Sequence, residues 1–147
     1  MEIRRALAAD AHEIAKMESE YFADAWAEED IRSYICSELS MCFTAVDSDG
    51  ICAYILGRKI IPEGEIYRIA VRESKRRRGI GSRLLSYALK TEIGSGVETV
   101  FLEVREKNVA ARRLYSAEGF SEIGFRKNYY KSPTDNAIIM VYGLKCQ

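Results

Sequence analysis

The chain has 147 residues, 48% hydrophobic and 30% charged, with 10 Gly and 2 Pro. That is one domain's worth of sequence, expected to span residues 1–147, and it excludes disorder, low complexity and collagen-like repeats. The formal charge of zero, from 22 basic and 22 acidic side chains, conceals a split: residues 1–60 are net −6 and residues 61–147 net +6.

In chain order, residues 3–7 predict a short strand. Asp10 is a candidate N-cap for a helix with Ile14, Met17, Tyr21 and Phe22 at helical spacing. Residues 28–39 predict a second helix with Ile31, Tyr34, Ile35 and Leu39 on one side. Most of the acidic excess lies in this region. Residues 41–46 and 51–61 are β-rich runs separated by Asp47-Ser-Asp-Gly50, a hairpin signal. Pro62-Glu-Gly64 then turns the chain into a strand over 65–71. A helix on Ile80, Leu84, Leu85, Ala88 and Leu89 ends near Gly94 and Gly96. Residues 99–104 predict a strand and 108–117 a helix stopped by Gly119. Final strands near 120–127 and 137–144 flank a loop containing Tyr and Pro. The order β-αα-βββ-α-β-α-ββ implies an α/β fold, a mixed and mostly antiparallel sheet with helices on both faces.

Four cysteines (Cys36, Cys42, Cys52, Cys146) form no C-x-x-C pair, and His12 is the sole histidine. No metal site is expected, and the thiols read as reduced core filler in a cytoplasmic protein. His12 reads as a helix-surface residue. Met-Glu-Ile-Arg-Arg has no apolar run behind it, so no signal peptide is expected, and no window approaches 18 apolar residues.

Ile69-Ala70-Val71 leads through Arg76, Arg77 and Arg78 into Gly79-x-Gly81, where a helix begins. The first helical N–H groups lack intrahelical partners, and glycines let an anion approach the backbone. With the helix dipole and three arginines, the segment suits a pyrophosphate. No Gly-Lys-Ser/Thr follows, and the third glycine and distal acid of a dinucleotide fingerprint are missing. A capped helix beside a solvated charge run would leave the same residues, as would an RNA-contacting patch, although no aromatic residues interleave the basic run.

Arg76-x-x-Gly79-x-Gly81 after Ile69-Ala-Val71 resembles the acetyl-CoA motif of the GNAT N-acetyltransferases. Leu102-Glu-Val-Arg105, Asn108-x-Ala-Ala111, Leu114-Tyr115, Gly119-Phe120, Gly124-Phe-Arg126, Asn128-Tyr-Tyr130 and Ala137-Ile-Ile-Met140 are similar to the RimI-type ribosomal-protein-alanine acetyltransferases. The resemblance runs from about Ile66 to Leu144 without a gap and is looser before that. Ala25-Trp26-Ala27 stands where RimI-type proteins carry Pro-Trp-Ser/Thr, and Asp135-Asn136-Ala137 where they carry Glu-Asp-Ala. Both departures fall where the family contacts its acceptor.

The resemblance implies a GNAT fold that binds acetyl-CoA through Ile69, Ala70, Val71, Arg76, Arg77, Arg78, Gly79, Ile80, Gly81, Ser82 and Asn108. Asn108 equally suits an N-cap. Acetyl transfer to an amine needs a base for the ammonium, a donor for the thioester carbonyl and an acid for the departing thiolate. Strand alternation puts Val100, Leu102 and Val104 on one face and Phe101, Glu103 and Arg105 on the other. By resemblance Glu103 is the base, acting directly or through water; by itself it also suits a salt-bridged sheet residue. Tyr115, one heptad after Asn108, is by resemblance the acid, and by itself also suits a core position. A backbone N–H within 69–71 would meet the carbonyl oxygen. Tyr129, Tyr130 and Trp26 would border the acceptor.

The implied reaction is direct attack in a ternary complex by a protein N-terminal α-amine, first of all the alanine of a ribosomal protein with a basic tail. Glu18, Glu20, Asp24 and Glu28 are the candidate attractors of such a tail. A small-molecule amine or a lysine side chain is an alternative acceptor, and a non-catalytic CoA- or RNA-binding module an alternative function. No membrane and no direct nucleic-acid partner are expected.

Overall fold

The structure, a computed structural model, describes residues 1–143; the expected strand end at Leu144 and Cys146 lie outside them. Seven strands form one sheet in the order β1-β2-β3-β4-β5-β7-β6. They are β1 (Glu2–Arg5), β2 (Phe43–Asp47), β3 (Gly50–Ile60), β4 (Glu63–Val71), β5 (Thr99–Arg105), β6 (Ser121–Tyr130) and β7 (Asp135–Tyr142). Each pairing is antiparallel except β4 with β5. The α/β order and the mixed sheet are those the sequence predicts.

Helices α1 (Ala11–Tyr21) and α2 (Glu28–Cys36) cover one face, where Ile14, Met17, Ile31 and Ile35 pack on Tyr54, Leu56 and Ala70. Helices α3 (Ile80–Gly94) and α4 (Val109–Ala117) cover the other, where Leu84, Leu85 and Ala88 pack with Phe43, Ile55 and Leu102. Each face also buries one carboxylate with its cations. Glu92 of α3 accepts from Arg5 (2.8 Å) and Lys59 (2.6 Å), stapling α3 to two strands. Glu18 of α1 accepts from the Tyr54 hydroxyl (2.6 Å), the Trp26 backbone N–H (3.1 Å) and Arg68 Nε (3.2 Å). Removing either acid would strand buried donors, which costs more than the pair contributes.

The register of β3 on β4 slips beside Tyr67: Leu56 faces Arg68, Gly57 faces Ile66, and Tyr67 is the extra residue of a bulge. A Cβ on Gly57 would lie 2.7 Å from the Glu65 carbonyl oxygen, so a side chain there would force the strands apart. The bulge inverts the alternation of β4. Ile66, Ile69 and Val71 pack with the α3 side, whereas Ala70 and Arg68 turn to α1 and α2. Pairing of β4 with β5 stops at the same point. Glu63–Ile66 pairs with Thr99–Leu102, after which β5 continues to Arg105 on β7 alone. An opening in the sheet results, between 67–71 on one side and 103–105 on the other.

Several local expectations change. Asp10 does not cap α1 with its side chain; its carboxylate accepts from Arg4 Nη1 (2.7 Å) and the Leu7 N–H (2.7 Å). The second helix ends at Cys36 rather than at 39, because the chain turns extended at Ser37. Cys36 is exposed rather than core filler, while Cys42 and Cys52 are buried. Tyr129 and Tyr130 belong to the end of β6, not to the loop.

Candidate active site

The loop after β4 is fastened before it reaches the glycines. Arg72 pairs with Glu13 (2.9 Å) and donates to the Ile51 carbonyl. Lys75 bridges Asp47 (3.1 Å) and Asp49 (2.7 Å) of the β2–β3 turn. The Tyr21 hydroxyl accepts the Glu73 N–H, and Arg76 folds back onto the Val71 carbonyl with its guanidinium 4.9 Å from the Tyr21 ring. Arg77 and Arg78 project from the surface. Arg77 (φ 65°) and Gly79 (φ 74°) are both left-handed, so the backbone curls before α3 begins. No side chain caps α3, and a Cβ on Gly79 would meet nothing within 4 Å. The mouth of the helix is therefore open, with free N–H donors directed at the opening, and it fits a pyrophosphate. Gly81 serves packing instead: its Cβ would lie 3.3 Å from Val71. Ser82 donates through its hydroxyl to Glu118, joining α3 to the end of α4. Asn108 caps α4, its Oδ1 accepting the Ala111 N–H (3.2 Å).

Across the opening, β5 alternates as predicted, with Val100, Leu102 and Val104 in the α3-side core. Glu103 points to the opposite face with a side chain 22% exposed, where it pairs with Arg126 Nε at 2.6 Å. The negative charge of Glu103, with some burial, raises the Tyr129 pKa. Tyr129 and Tyr130 meet edge-on at 5.1 Å. Burial, then the charge of Glu103, pushes the Tyr130 phenol up to about 12.

Tyr115 approaches from α4 on the other side of the sheet, buried and 5.7 Å from the Phe120 ring. Burial, then Tyr130, raises its pKa well above the ordinary phenol range, so it stays a proton donor.

Trp26 sits in an aromatic cluster with Tyr34 (5.2 Å) and Tyr67 (6.1 Å) beside the opening. Tyr67 and its neighbour Arg68 share this face because the bulge seats two consecutive residues on one side. Arg105 donates to the carbonyls of Pro133 (2.7 Å) and Lys131 (3.1 Å) with Tyr130 beneath it, which fixes the β6–β7 hairpin. The altered triplet of that hairpin is internal scaffolding. Asp135 accepts the Lys107 N–H (3.1 Å), and Asn136 accepts the Asn128 N–H (2.8 Å) and donates to Glu106 (2.9 Å).

Of the candidate acidic attractors, Glu18 is fully buried in its network. Asp24 holds Arg68 (2.8 Å), and Glu28 holds Arg32 (2.7 Å) and the exposed His12 (2.8 Å). Glu20 remains exposed. Arg126, Arg105, Tyr34 and Tyr67 were not read from the sequence as site residues. Arg126 lay inside a recognised motif, but its partner is 23 positions away on another strand.

The Acetyltransferase (GNAT) family matches residues 11–120, and the chain belongs to that family. It is an acetyl-CoA-dependent N-acetyltransferase. The [ribosomal protein bS18]-alanine N-acetyltransferase of Escherichia coli K12 is 32% identical over 117 residues, 78% of each chain. Matches to bacterial relatives of that name span 64% to 78% of their length. The crystal structure of the ribosomal-protein-S18-alanine N-acetyltransferase from Escherichia coli superposes with a TM-score of 0.89 at 28% identity, over 99% of this chain and 95% of that one. The putative streptothricin acetyltransferase of Bacillus anthracis, in complex with acetyl coenzyme A, is 25% identical with a TM-score of 0.69, over 78% of this chain and 68% of that one.

Proposed function

We propose that the whole chain, residues 1–147, is one cytoplasmic catalytic domain that acetylates a protein N-terminal α-amine, with the alanine of ribosomal protein S18 as first acceptor. The observation that carries this reading is the opening between β4 and β5, with Glu103 on one face of the sheet and Tyr115 in the core of the other. A donor and an acceptor admitted from opposite faces meet in line, without an acyl-enzyme.

Acetyl-CoA supplies the thioester; this chain's residues do the rest. The N–H groups at the start of α3, from Gly79 to Ser82, hold the pyrophosphate, with Arg77 and Arg78 adding positive charge. Arg76 and Asn108 keep the loop and α4 in place beside it. A backbone N–H of Ile69–Val71, on the stretch that β5 leaves unpaired, meets the thioester oxygen where negative charge develops. Glu103, directly or through a water, takes the proton that the ammonium must lose. Tyr115 gives its proton to the departing sulfur. Trp26, Tyr129 and Tyr130 wall the acceptor's path.

In support, no helix among the described residues is long and apolar enough to cross a membrane. The test is intact mass after incubation of alanine-, serine-, threonine- and methionine-initiated peptides with acetyl-CoA. One acetyl group at the α-amine of the alanine peptide is expected. No product on any peptide, or acetylation at a lysine side chain alone, overturns the reading.

A further inference from the structure

We propose that Arg126 is a displaceable counter-cation, resting on the Glu103 carboxylate until the acceptor's α-ammonium takes its place. The proposal rests on the reading of Glu103 as the base and adds how that base is kept ready.

Three arginines surround the opening on the acceptor face, and they are held very differently. Arg68 is 13% exposed and pinned by Glu18 and Asp24. Arg105 donates to two hairpin carbonyls and lies 4.5 Å over the Tyr130 ring. Arg126 is 58% exposed, and among the described residues its ion pair is with Glu103 alone, at 2.6 Å. Its other contact is a loose one, the Tyr129 ring at 5.5 Å. Glu103 sits deeper, 22% exposed. The carboxylate is thus the fixed member of the pair and the guanidinium the mobile one.

Arg126 reaches this position across an intervening strand. It stands opposite Ala137 of β7, while Glu103 stands opposite Ile139 of the same strand. The pair therefore spans β5, β7 and β6 over the face by which an acceptor would arrive.

The chemistry requires an exchange. An incoming ammonium needs the same carboxylate, and two cations on one anion repel each other. Arg126 is the partner that can leave, since its side chain already lies mostly in water and gives up one exposed ion pair. Local charge is conserved: one carboxylate keeps one cation before and after. The ammonium then passes one proton to Glu103 and its nitrogen lone pair attacks the thioester carbon. As the C–S bond breaks, the sulfur takes the Tyr115 proton and the nitrogen's second proton makes good that loss by way of water. Once the proton on Glu103 has left to solvent, the carboxylate takes Arg126 back.

Arg126 so placed is a positioning residue, and its loss has a kinetic signature that mere damage would not give. In Arg126→Gln the ammonium meets an unoccupied carboxylate and is held more tightly as an ion pair. The KM for an alanine-initiated peptide should fall about two- to fivefold, the range of a half-exposed ion pair. The kcat should fall by a similar factor, because a better-held ammonium gives up its proton less readily. Calorimetry of the same peptide with CoA bound should show the same tightening without turnover. Arg126→Lys keeps the charge and should restore both constants.

A raised KM or an unchanged peptide affinity in Arg126→Gln overturns the proposal. Glu103→Gln in the same assay separates the two layers. Parental turnover in that variant would remove the base and Arg126's role with it. Slow turnover there, with unchanged affinity in Arg126→Gln, would remove the exchange alone.

Discussion

The two sides of the sheet opening are built on opposite plans. The proposed cofactor side is one continuous segment, from Val71 to Ser82, and the groups it offers are backbone N–H donors at an uncapped helix start. The proposed acceptor side takes side chains from distant elements: Trp26, Tyr34, Tyr67, Glu103, Arg126 and Tyr129. The first depends on backbone shape and tolerates many side chains. The second depends on side-chain identity and on the sheet register that gathers them. The charge split of the sequence follows the same division only in part, because several acids of the first half are spent on internal pairs.

Four measurements would break or sharpen this contrast. Glu103→Gln should have the largest effect, lowering kcat by roughly a thousandfold, the usual scale for a general base, with acetyl-CoA affinity retained in calorimetry. A comparable loss of acetyl-CoA binding would mean the two sides are not separable. Tyr115→Phe should cost about a hundredfold in kcat. Its sign with pH is set by burial: the raised pKa keeps the phenol protonated as pH climbs, so kcat should hold level to about pH 10. A decline near pH 8 that disappears in the Phe variant would contradict this.

Gly79→Val should act on the cofactor side alone. A β-branched residue at φ 74° costs about 1–2 kcal/mol, so the KM for acetyl-CoA should rise roughly tenfold while peptide affinity holds. The smallest effect belongs to surface charge. Neutralising the exposed Glu20, Glu29 and Asp30 should raise the KM for a basic peptide about twofold at low salt and not at all at high salt. An equal effect at both salt concentrations would show that these acids contact the peptide rather than attract it.

This contrast also decides what could be read in advance. The element order and the alternation on β5 were legible because each is a local pattern, and so was the helix that starts after Gly79, where the signal lies within a dozen residues. The acceptor side was legible only where a motif happened to include its residues. Glu18 read as a surface acid because its helix is acidic throughout; nothing local announces that Tyr54 and Arg68 close over it. Asp135 and Asn136 stand out in the sequence only as a departure from a motif, and nothing local shows that they hold the backbone of the β5–α4 loop and of the hairpin. The Glu103–Arg126 pair depends on β7 inserting between β5 and β6, a fact of strand order that no residue spacing encodes.

The extra residue at Tyr67 works as a parity switch. Before it, odd and even positions of β4 point one way; after it, they have exchanged sides. Removing that one residue would delete the bulge along with the aromatic ring. Leu56 opposite Arg68 and Gly57 opposite Ile66 would become consecutive pairs of an unbroken ladder, with Arg68 still toward α1 and α2 and Ile69 and Val71 still in the α3 core. What a single-codon deletion at Tyr67 would take away is the local bend at the point where β4 parts from β5, so the opening, and not the facing of the side chains, depends on the extra residue.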